Sequence, residues 1–403
     1  MKKGWATRPL AALCEVFADG DWVESKDQSS NGVRLIQTGN VGDGVFKDRA
    51  EKARYISEAT FKRLRCTEIV EGDCLISRLP DPVGRSCILP DTGERMITAV
   101  DCTIVRFHPE QFLPEFFNLY SQSINYLSMV AKECTGTTRS RISRSNLGLT
   151  PIPVPPLAEQ QRIVGVLDEA FVGLATAQAH AEKNVKNALA LFESYLHSVF
   201  AEAWESSELV TLDDLSTDIT DGDHSPPPKA STGVPFITIG NIAKDTRQID
   251  FSDTFMVPRS YFDALKPHKK PQIGDVLYTV TGSFGIPVIV PGGAEFCFQR
   301  HIGLVRPKRG INSAWLYYLL LSPQIFKQAN DGANGAAQKT VSLKLLRSFI
   351  VPKVPTKKQH TVVANLLALS TETQRLENLY QQKQAALASL KKSLLHQAFT
   401  GAL

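Results

Sequence analysis

The stretch PIPVPPLAEQQRIV, residues 151–164, decides the organisation of this chain, because a second version of it, FIVPKVPTKKQHTVV, occupies residues 349–363. The following pairs are each separated by 199 residues: Pro153 and Pro352, Gln160 and Gln359, and Phe200 and Phe399. A separation that stays constant over such a length, with no gap, marks an internal repeat. Since the chain has 403 residues, one unit of about half that length is used twice.

The composition is that of a globular protein with room for two hydrophobic cores, since 43% of the residues are hydrophobic and 21% are charged. No apolar run approaches the roughly 20 residues of a membrane span, and no signal peptide is evident, so we expect a cytoplasmic protein without a membrane partner. Seven cysteines without a CxxC pair predict reduced, mostly buried thiols. The net charge of +4 permits nucleic-acid binding but does not argue for it.

Each half begins with a mixed α/β (α+β) globular segment. In the first, β-type runs at residues 33–41, 73–79 and 101–107 are separated by Gly, Pro and Asp turns. An amphipathic helix is predicted over residues 114–131, with Phe116, Phe117, Tyr120, Ile124 and Leu127 on one side. The second half repeats this layout with different side chains. The predicted domains are two globular segments, residues 1–150 and 206–349, and two helical segments, residues 151–205 and 350–403.

The helical segments carry coiled-coil seams. From Ile163, apolar or small residues recur in steps of four and three, with a stutter between Ala181 and Val185. The second seam comprises Leu366, Leu369, Leu376, Tyr380, Lys383, Leu387, Leu390 and Leu394. We expect the helices to pair antiparallel; the alternative is that each packs on its own globular domain. Thr356 and Gln359 predict a capping box at the start of the second helix.

Antiparallel pairing would place two globular domains on one pseudo-symmetric scaffold. Such a molecule suits duplex DNA, where half-sites lie about 34–36 Å apart, roughly one helical turn. Because the helical segments are alike and the globular faces differ, the pattern favours one geometry that presents two different recognition surfaces.

The order of these elements resembles the specificity subunit of type I restriction–modification systems over essentially the whole chain. The shared pieces are Gly39-Asn40 and Gly240-Asn241, Gly72-Asp73 and Gly274-Asp275, leucine-containing openings at residues 10–13 and 209–215, and the proline-rich entries to long helices with Gln160 and Gln359. No single piece is specific, but their order and duplication are. One departure is that residues 80–84 read PDPVG where residues 281–285 read TGSFG.

The resemblance implies that each globular domain recognises one half of a bipartite, asymmetric double-stranded DNA target. It implies that the helices set the spacing and dock two methyltransferase (modification) subunits, which restriction and translocase subunits then join. S-adenosylmethionine, ATP and Mg²⁺ are accordingly expected only on those partner subunits, and no cofactor or metal on this chain.

Candidate DNA-binding residues lie in loops at equivalent places of the two halves. Arginine pairs with guanine and glutamine with adenine, while serine and threonine hold phosphates. The candidates of the first half are Ser77, Arg78 and Arg85, with Arg139, Arg141 and Arg144 in the loop CTGTTRSRISRSN at residues 134–146. Those of the second half are His224, Thr281, Ser283, Gln299, Arg300, Gln338 and Lys339. A solvated basic loop is the alternative for the arginines, and turn chemistry explains the Asp-Gly-Asp before His224 better than a metal site does.

The sequence has no P-loop, no GxGxxG after a strand, no amino-methyltransferase motif and no GxSxG elbow. We therefore expect no catalytic residues. Two alternatives stay open: a protein–protein scaffold whose twin domains do not contact DNA, and the recognition subunit of a related fused restriction–methylation enzyme. The basic residues in the two equivalent loops favour DNA, whereas the near-neutral net charge favours the scaffold.

Overall fold

The computed structural model describes residues 4–136, 139–293, 295–335 and 338–403. The chain forms two compact units. Unit 1 comprises Met1–Glu182 and Gln381–Leu403, and unit 2 comprises Lys183–Tyr380. Each unit therefore holds one globular segment and a portion of each long helix. The division into four segments drawn from the sequence remains a prediction.

Unit 1 contains two four-stranded sheets and a two-stranded brace. The strands follow the order β2-β9-β6-β7 in one sheet and β3-β5-β4-β8 in the other, and β1 pairs with β10. Their bounds are β1 Ala6–Pro9, β2 Cys14–Asp19, β3 Gln28–Ser29, β4 Val33–Ile36, β5 Tyr55–Ile56, β6 Cys74–Ser77, β7 Ser86–Ile88, β8 Met96–Thr98, β9 Cys102–Phe107 and β10 Pro151–Val154. The helices are α1 Glu58–Leu64, α2 Pro114–Tyr120, α3 Ile124–Lys132, α4 Arg144–Leu149 and the long α5 Leu157–Ser206.

The three β-type runs of the first half form β4, β6 and β9, as predicted. β6 and β9 pair antiparallel in the centre of their sheet, and nearly every residue of both is buried. Branched side chains fill both faces of such strands, which explains their near-continuous apolar sequences. β4 and β8 run parallel, so their carboxyl ends lie at the same edge of the second sheet.

The predicted helix over residues 114–131 is wrong as a single element. The structure divides it into α2 and α3, because the Ser123 hydroxyl caps α3 by accepting from the Tyr126 backbone N–H at 3.3 Å. Phe116, Phe117 and Tyr120 are buried as expected, whereas Ile124 is 61% exposed.

Unit 2 repeats this plan. Its sheets follow the orders β12-β18-β15-β16 and β14-β13-β17, with β11 paired to β19. The bounds are β11 Glu208–Thr211, β12 Ser216–Asp221, β13 Val234–Ile237, β14 Phe255–Val257, β15 Val276–Thr279, β16 Pro287–Ile289, β17 Cys297–Phe298, β18 Ile302–Pro307 and β19 Ile350–Lys353. The helices are α6 Arg259–Ala264, α7 Ser313–Leu321, α8 Pro323–Gly332, α9 Leu343–Arg347 and the long α10 Thr356–Thr400.

Portions of α5 and α10 pair antiparallel inside each unit, as predicted. In unit 1, the Lys391 ammonium lies 5.0 Å from the centre of the Phe171 ring, and Arg162 donates to the Leu403 carbonyl at 3.1 Å. In unit 2, Asn184 donates to the Tyr380 hydroxyl at 3.0 Å. Nearer the other end of the same pair, Lys358 and Glu202 form an ion pair of 2.9 Å. As numbers on one helix rise, those of the partner fall, which defines antiparallel pairing.

The seam of α10 differs from its prediction at two positions. Lys383 is exposed and Leu390 is 46% exposed. The covered face passes instead through Gln384, Leu387 and Lys391, whose steps of three and four continue from Tyr380. The alternative in which each helix packs only on its own globular domain is not the whole answer, since the helices do contact one another. They also reach the cores: Phe399 packs edge-on against Phe116 of unit 1, with 5.3 Å between ring centroids.

The two repeated glutamines clamp the long helices to the globular segments. Gln160 is fully buried, accepts from the Leu113 backbone N–H at 2.9 Å, and donates to the carbonyls of Pro155 at 2.8 Å and Gln111 at 3.1 Å. Gln359 repeats the clamp, accepting from Asn312 at 2.8 Å. Each clamp satisfies backbone groups that burial would otherwise leave without a partner.

The capping box predicted for Thr356 and Gln359 is therefore wrong. The Gln359 side chain is used by Asn312 and by the Val354 carbonyl, which accepts at 2.8 Å. The Thr356 hydroxyl donates to the Gly310 carbonyl at 2.8 Å. Both side chains hold the globular segment rather than the first turn of their own helix.

All seven cysteines are free thiols, five of them buried. Burial raises the pKa of the thiols of Cys87 and Cys297 to about 12, so these groups stay protonated near neutral pH. Among the described residues, no helix is long and apolar enough to cross a membrane.

We expect Gln160→Ala to lower the free energy of unfolding by about 1–3 kcal/mol, because it removes the partner of the buried Pro155 carbonyl and of the part-buried Leu113 N–H and Gln111 carbonyl. Urea unfolding followed by circular dichroism measures the change. Gln161→Ala is the matched control, since Gln161 is exposed on the next position of the helix. Equal losses for the two variants would contradict the role of the clamp.

Candidate nucleic-acid interface

The candidate interface of unit 1 lies where β2 and β6 end and β9 begins. Asp19 closes β2, Arg78 follows β6, and Asp101 precedes β9. The Arg78 backbone N–H donates to the Asp101 carbonyl at 2.9 Å, which joins two of these strand ends. We call this the strand-end edge of unit 1.

The arginine-rich loop attaches to that edge. Thr135 and Arg141 exchange two backbone hydrogen bonds of 2.9 Å, and the Ile142 N–H donates to the Arg78 carbonyl at 3.3 Å. Arg139, Arg141 and Arg144 are exposed there. Thr137 and Thr138, also in the predicted loop, lie outside the described residues.

Two aspartates hold the arginines of the edge. The Arg141 guanidinium lies 3.0 Å from Asp101, and Asp19 lies 3.1 Å from Arg78 and 3.7 Å from Arg144. Arg141 and Arg144 remain 47% and 45% exposed, and exposed pairs of this kind contribute only about 0–1 kcal/mol. These two arginines can therefore leave their aspartates for a stronger acceptor at small cost.

Arg78 differs, because it is only 4% exposed and donates to the Val100 carbonyl. Burial lowers the pKa of its guanidinium, which nevertheless stays charged. Its Nη2 lies 3.1 Å from Asp19 Oδ1, while among the described residues the buried Nε of Arg78 has no hydrogen-bond partner. Arg78 thus contacts Asp19 from the buried side of the edge, whereas the exposed arginines lie on its solvent side.

Two further candidates of unit 1 are occupied inside the fold. Arg85 is 7% exposed and donates to four carbonyls: Thr38 at 2.9 Å, Val41 at 2.7 Å, Leu79 at 2.7 Å and Pro82 at 3.0 Å. The Ser77 hydroxyl is fully buried and donates to the Leu79 carbonyl at 3.1 Å. Because these groups are satisfied internally, we assign them to the support of the loop after β6 and leave them out of the proposed interface.

Unit 2 builds the same edge from different side chains. Thr340 pairs with both Thr281 and Asn334, and the Gly282 N–H donates to the Lys339 carbonyl at 3.1 Å. Gln338 and Lys339 are exposed on this loop. A Cβ built on Gly282 would lie 2.8 Å from Gln338 Nε2, so the absence of a side chain there makes room for the glutamine. Lys339 Nζ donates to Asn330 at 3.0 Å.

The remaining candidates of unit 2 lie at the ends of β12, β15 and β17. His224 Nε2 is 2.8 Å from the Asp221 carboxylate and is exposed, and Arg300, also exposed, donates its N–H to the Asp223 carbonyl at 3.1 Å. The backbone of Gln299 forms an isolated parallel β-bridge with that of Asp223, and Gln299 is half-buried. Thr281 is only 7% exposed, whereas Ser283 is exposed.

Backbone hydrogen bonds show which positions of the two edges correspond. In unit 2 the Val341 N–H donates to the Val280 carbonyl, and in unit 1 the Ile142 N–H donates to the Arg78 carbonyl. Likewise, the Val280 N–H donates to the His301 carbonyl, and the Arg78 N–H donates to the Asp101 carbonyl. The equivalent pairs carry unlike chemistry: Arg78 and Val280, Asp101 and His301, Arg141 and Thr340, and Asp19 and Asp221 as the only pair in this set that is alike. The two edges therefore share a backbone frame and differ in what they offer a ligand.

Trp22 belongs to the edge of unit 1 and was missed from the sequence. It follows Asp21 as His224 follows Asp223, and 69% of it is exposed. Its indole N–H donates to Glu24 at 3.4 Å. The match of Asp19-Gly20-Asp21 with Asp221-Gly222-Asp223 was the signal, since it also aligns Trp22 with the candidate His224.

No group of three metal-ligating side chains occurs in the part of the chain that the structure describes. At the Asp-Gly-Asp segment of unit 2, the carboxylates are bound instead by protein donors. Asp221 faces His224 and, at 4.0 Å, Lys269, while Asp223 accepts from the Tyr261 hydroxyl. The segment matches a braced turn.

Asp21 carries a testable pH dependence. Burial raises the pKa of its carboxyl group from 3.8 to about 6, against an opposing hydrogen bond from the Thr67 N–H. The folded state then binds the proton more tightly than the unfolded state, so ionisation costs stability as the pH rises from about 4 to about 6.

We expect Asp21→Asn to raise the melting temperature above pH 6 and to change it little at pH 4, where the folded carboxyl group is still protonated and the cost of ionising it has barely developed. Thermal unfolding from pH 4 to 8 measures the difference. Asp245→Asn, at an exposed position of unit 2, is the control and should show no such trend. A constant difference for Asp21→Asn at every pH would contradict the shifted titration.

The family model of the type I restriction modification DNA specificity domain matches residues 2–184 and again residues 205–386. The chain is 24% identical to the type I restriction enzyme EcoKI specificity subunit of Escherichia coli K12, over 100% of this chain and 90% of that protein. The HsdS subunit from Thermoanaerobacter tengcongensis has a similar fold, with a TM-score of 0.65, 19% identity, and coverage of 100% and 98%. A chain from a structure of the type I R-M system, solved for its complex assembly and conformational transition, gives a TM-score of 0.78 at 20% identity, with coverage of 100% and 99%.

Proposed function

The chain belongs to the type I restriction modification DNA specificity domain family, and from this membership we propose that it selects the DNA sequence on which a restriction–modification complex acts. Each unit recognises one half of a bipartite, asymmetric duplex target through its strand-end edge. The paired portions of α5 and α10 set the separation of the two halves.

The observation that carries the proposal is the repeated edge with unlike side chains. A protein that bound one ligand twice would keep its contact residues, as it keeps Gln160 and Gln359. Here unit 1 offers Arg139, Arg141 and Arg144, which suit guanine edges and phosphates, and unit 2 offers Gln338 and Lys339 at the equivalent loop. Recognition of two different half-sites requires such a shared backbone edge with different contact residues in each unit.

We propose that the chain itself is non-catalytic. The carboxylates of the edges are bound by arginine, histidine, lysine and tyrosine, and the candidate loops contain donors for recognition rather than a nucleophile with its base. Methyltransferase and restriction subunits would supply the chemistry and hold S-adenosylmethionine, ATP and Mg²⁺. Discrimination follows from base contacts, since each mismatched base pair costs about 1–3 kcal/mol.

Exchanging Gln338 and Lys339 for other side chains should alter only one half of the methylated sequence, because both residues lie on the edge of unit 2. Single-base methylation mapping of genomic DNA from cells that express each variant measures both halves at once. The reciprocal change of Arg139 and Arg141 should alter only the other half.

Loss of the gene should abolish the whole bipartite motif. If Gln338 and Lys339 variants changed both halves together, the assignment of one half-site to each unit would be wrong. If no methylated motif depended on the gene in cells that hold an active methyltransferase partner, the scaffold alternative would replace DNA recognition.

We further propose that each unit docks one methyltransferase subunit beside its helical portion. In unit 1 a cleft of about 810 Å³ lies between the 43–45 loop, β7, α2 and the two long helices. In unit 2 a cleft of about 460 Å³ is lined by residues 246–249, the end of β16 and Tyr317 of α7, without residues of the long helices. The elements that line both clefts, namely the loop after β4 or β13, β7 or β16, and α2 or α7, support two copies of one partner.

The cleft of unit 1 presents exposed apolar side chains, including Val45 at 57% and Ile124 at 61% exposure. Exposed apolar groups that cluster in a cleft mark an interaction site. We expect Val45→Asp with Ile124→Asp to weaken capture of the methyltransferase subunit by roughly tenfold or more, because charged carboxylates would replace apolar side chains that the partner covers. Co-purification and calorimetry with the methyltransferase encoded beside this gene measure the effect.

The same two charges placed at Val70 and Leu149, which are exposed outside the cleft, form the matched control. Binding of the variant and control to duplex DNA should remain equal. Undiminished capture by the cleft variant would place the partner elsewhere on the chain.

A further inference from the structure

A basic pocket of unit 1 lies beside the strand-end edge and belongs to none of the candidate contacts described above. It has a volume of about 350 Å³. Four cationic side chains and no carboxylate line it, together with the polar residues Gln37, Thr38 and Asn40; the cations are Arg34, Arg49, Lys52 and Arg54.

Arg34 is the fixed floor of the pocket. It is 4% exposed, donates to Glu94 at 2.8 Å and also binds Asp48. Its charge is therefore already matched by carboxylates. The other three cations are exposed, and no ion pair or side-chain hydrogen bond engages them within the described residues. Three unmatched positive charges around one concave surface attract an anion.

The backbone holds Arg49 in an unusual conformation to build this pocket. Its φ of 50° is in the left-handed region, which non-glycine residues adopt at a cost of about 1 kcal/mol or more. A Cβ built on Gly39 would lie 2.2 Å from Arg49 Nη1, so the end of the arginine side chain is in close contact with this turn. The guanidinium thus lies directly over the 38–40 turn.

The pocket adjoins the strand-end edge. The Thr38 carbonyl, in the pocket wall, accepts from Arg85 of the loop after β6. Two residues earlier, the Ile36 carbonyl accepts from Ala99, and Val100 in turn donates to Asp21. The pocket therefore lies at the carboxyl end of β4, next to the strand ends that carry Trp22, Asp19 and the arginine-rich loop.

Unit 2 carries uncharged side chains at the positions of two of these cations. Its β13 places Pro235 where β4 has Arg34, and Phe255 where unit 1 has Arg54, as the strand registers show. In unit 1 the Asn40 side chain donates to the carbonyls of Lys47 and Asp48, and in unit 2 the Asn241 side chain donates to the Asp253 carbonyl. The segment that these bonds identify as equivalent, before β14, contains the acidic residues Asp250 and Asp253. The charges of Arg34 and Arg54 are therefore a property of unit 1 and not of the shared frame.

We propose that this pocket of unit 1 binds a phosphate group through Arg49, Lys52 and Arg54. This inference rests on the proposed function, because the phosphate group is a backbone phosphate of the DNA half-site that unit 1 recognises. A free phosphate or diphosphate has the same chemistry and is the other source that the experiment separates. Binding at this pocket positions the duplex and carries no sequence information.

The test uses the full-length chain with Arg49→Gln, Lys52→Gln and Arg54→Gln combined. The control removes three charges from exposed positions of the long helices, with Lys183→Gln, Lys186→Gln and Lys383→Gln. Binding of a labelled duplex that contains the mapped methylation motif is measured from 50 to 300 mM salt. Melting temperatures in sodium pyrophosphate form the second arm.

If DNA is the source, the pocket variant loses about tenfold in affinity at low salt, and its slope of log affinity against log salt falls by about 1, as expected for one phosphate contact. The methylated motif stays unchanged, and the helix control keeps the wild-type slope. If free phosphate is the source, pyrophosphate raises the melting temperature of the wild type but not of the pocket variant, and the DNA slope is unaltered.

A pocket variant identical to wild type in both arms overturns the phosphate site. That result differs from failure of the proposed function, in which no methylated motif depends on the gene at all. The pyrophosphate arm tests the pocket even in that case.

Discussion

The burial of one glutamine at the start of each long helix is the constraint on which the two-unit architecture depends. Gln160 and Gln359 each join the backbone before α2 or α7 to the turn that enters α5 or α10. Because the amide has both donor and acceptor groups, it satisfies several buried backbone atoms at once. The direction of each helix is thereby tied to the globular segment that precedes it.

The shared frame leaves the strand-end edges free to diverge. Hydrogen bonds of the backbone, which do not depend on side-chain identity, position the loops after β6 and β15 and pair Thr135 with Arg141 and Asn334 with Thr340. The edge of unit 1 holds its exposed arginines with aspartates, and that of unit 2 combines amide, hydroxyl and imidazole groups. Under the proposed function, the asymmetry of the DNA target has its physical origin in these side chains, while the backbone plan of the two units is alike.

The sequence was sufficient for the repeat, the long helices, their antiparallel pairing and the main strands, since all of these depend on spacing and apolar periodicity. It could not show that Ser77 and Arg85 are buried. A place in the loop after a strand is compatible both with an exposed arginine and with a buried one that binds four carbonyls. It misplaced the role of Gln359, whose spacing from Thr356 matches a capping box but whose side chain accepts from Asn312, 47 residues away. The exposure of Trp22 and the basic pocket also depend on contacts between distant segments.

The braces β1–β10 and β11–β19 have a consequence for how such a chain can change. Ala6 lies opposite Val154, and Glu208 lies opposite Lys353, so each globular segment begins and ends at neighbouring points. A segment with adjacent ends can be exchanged whole for another of similar frame while the helices stay intact. Genetic recombination at these paired strands would then give new combinations of the two half-sites without a new scaffold.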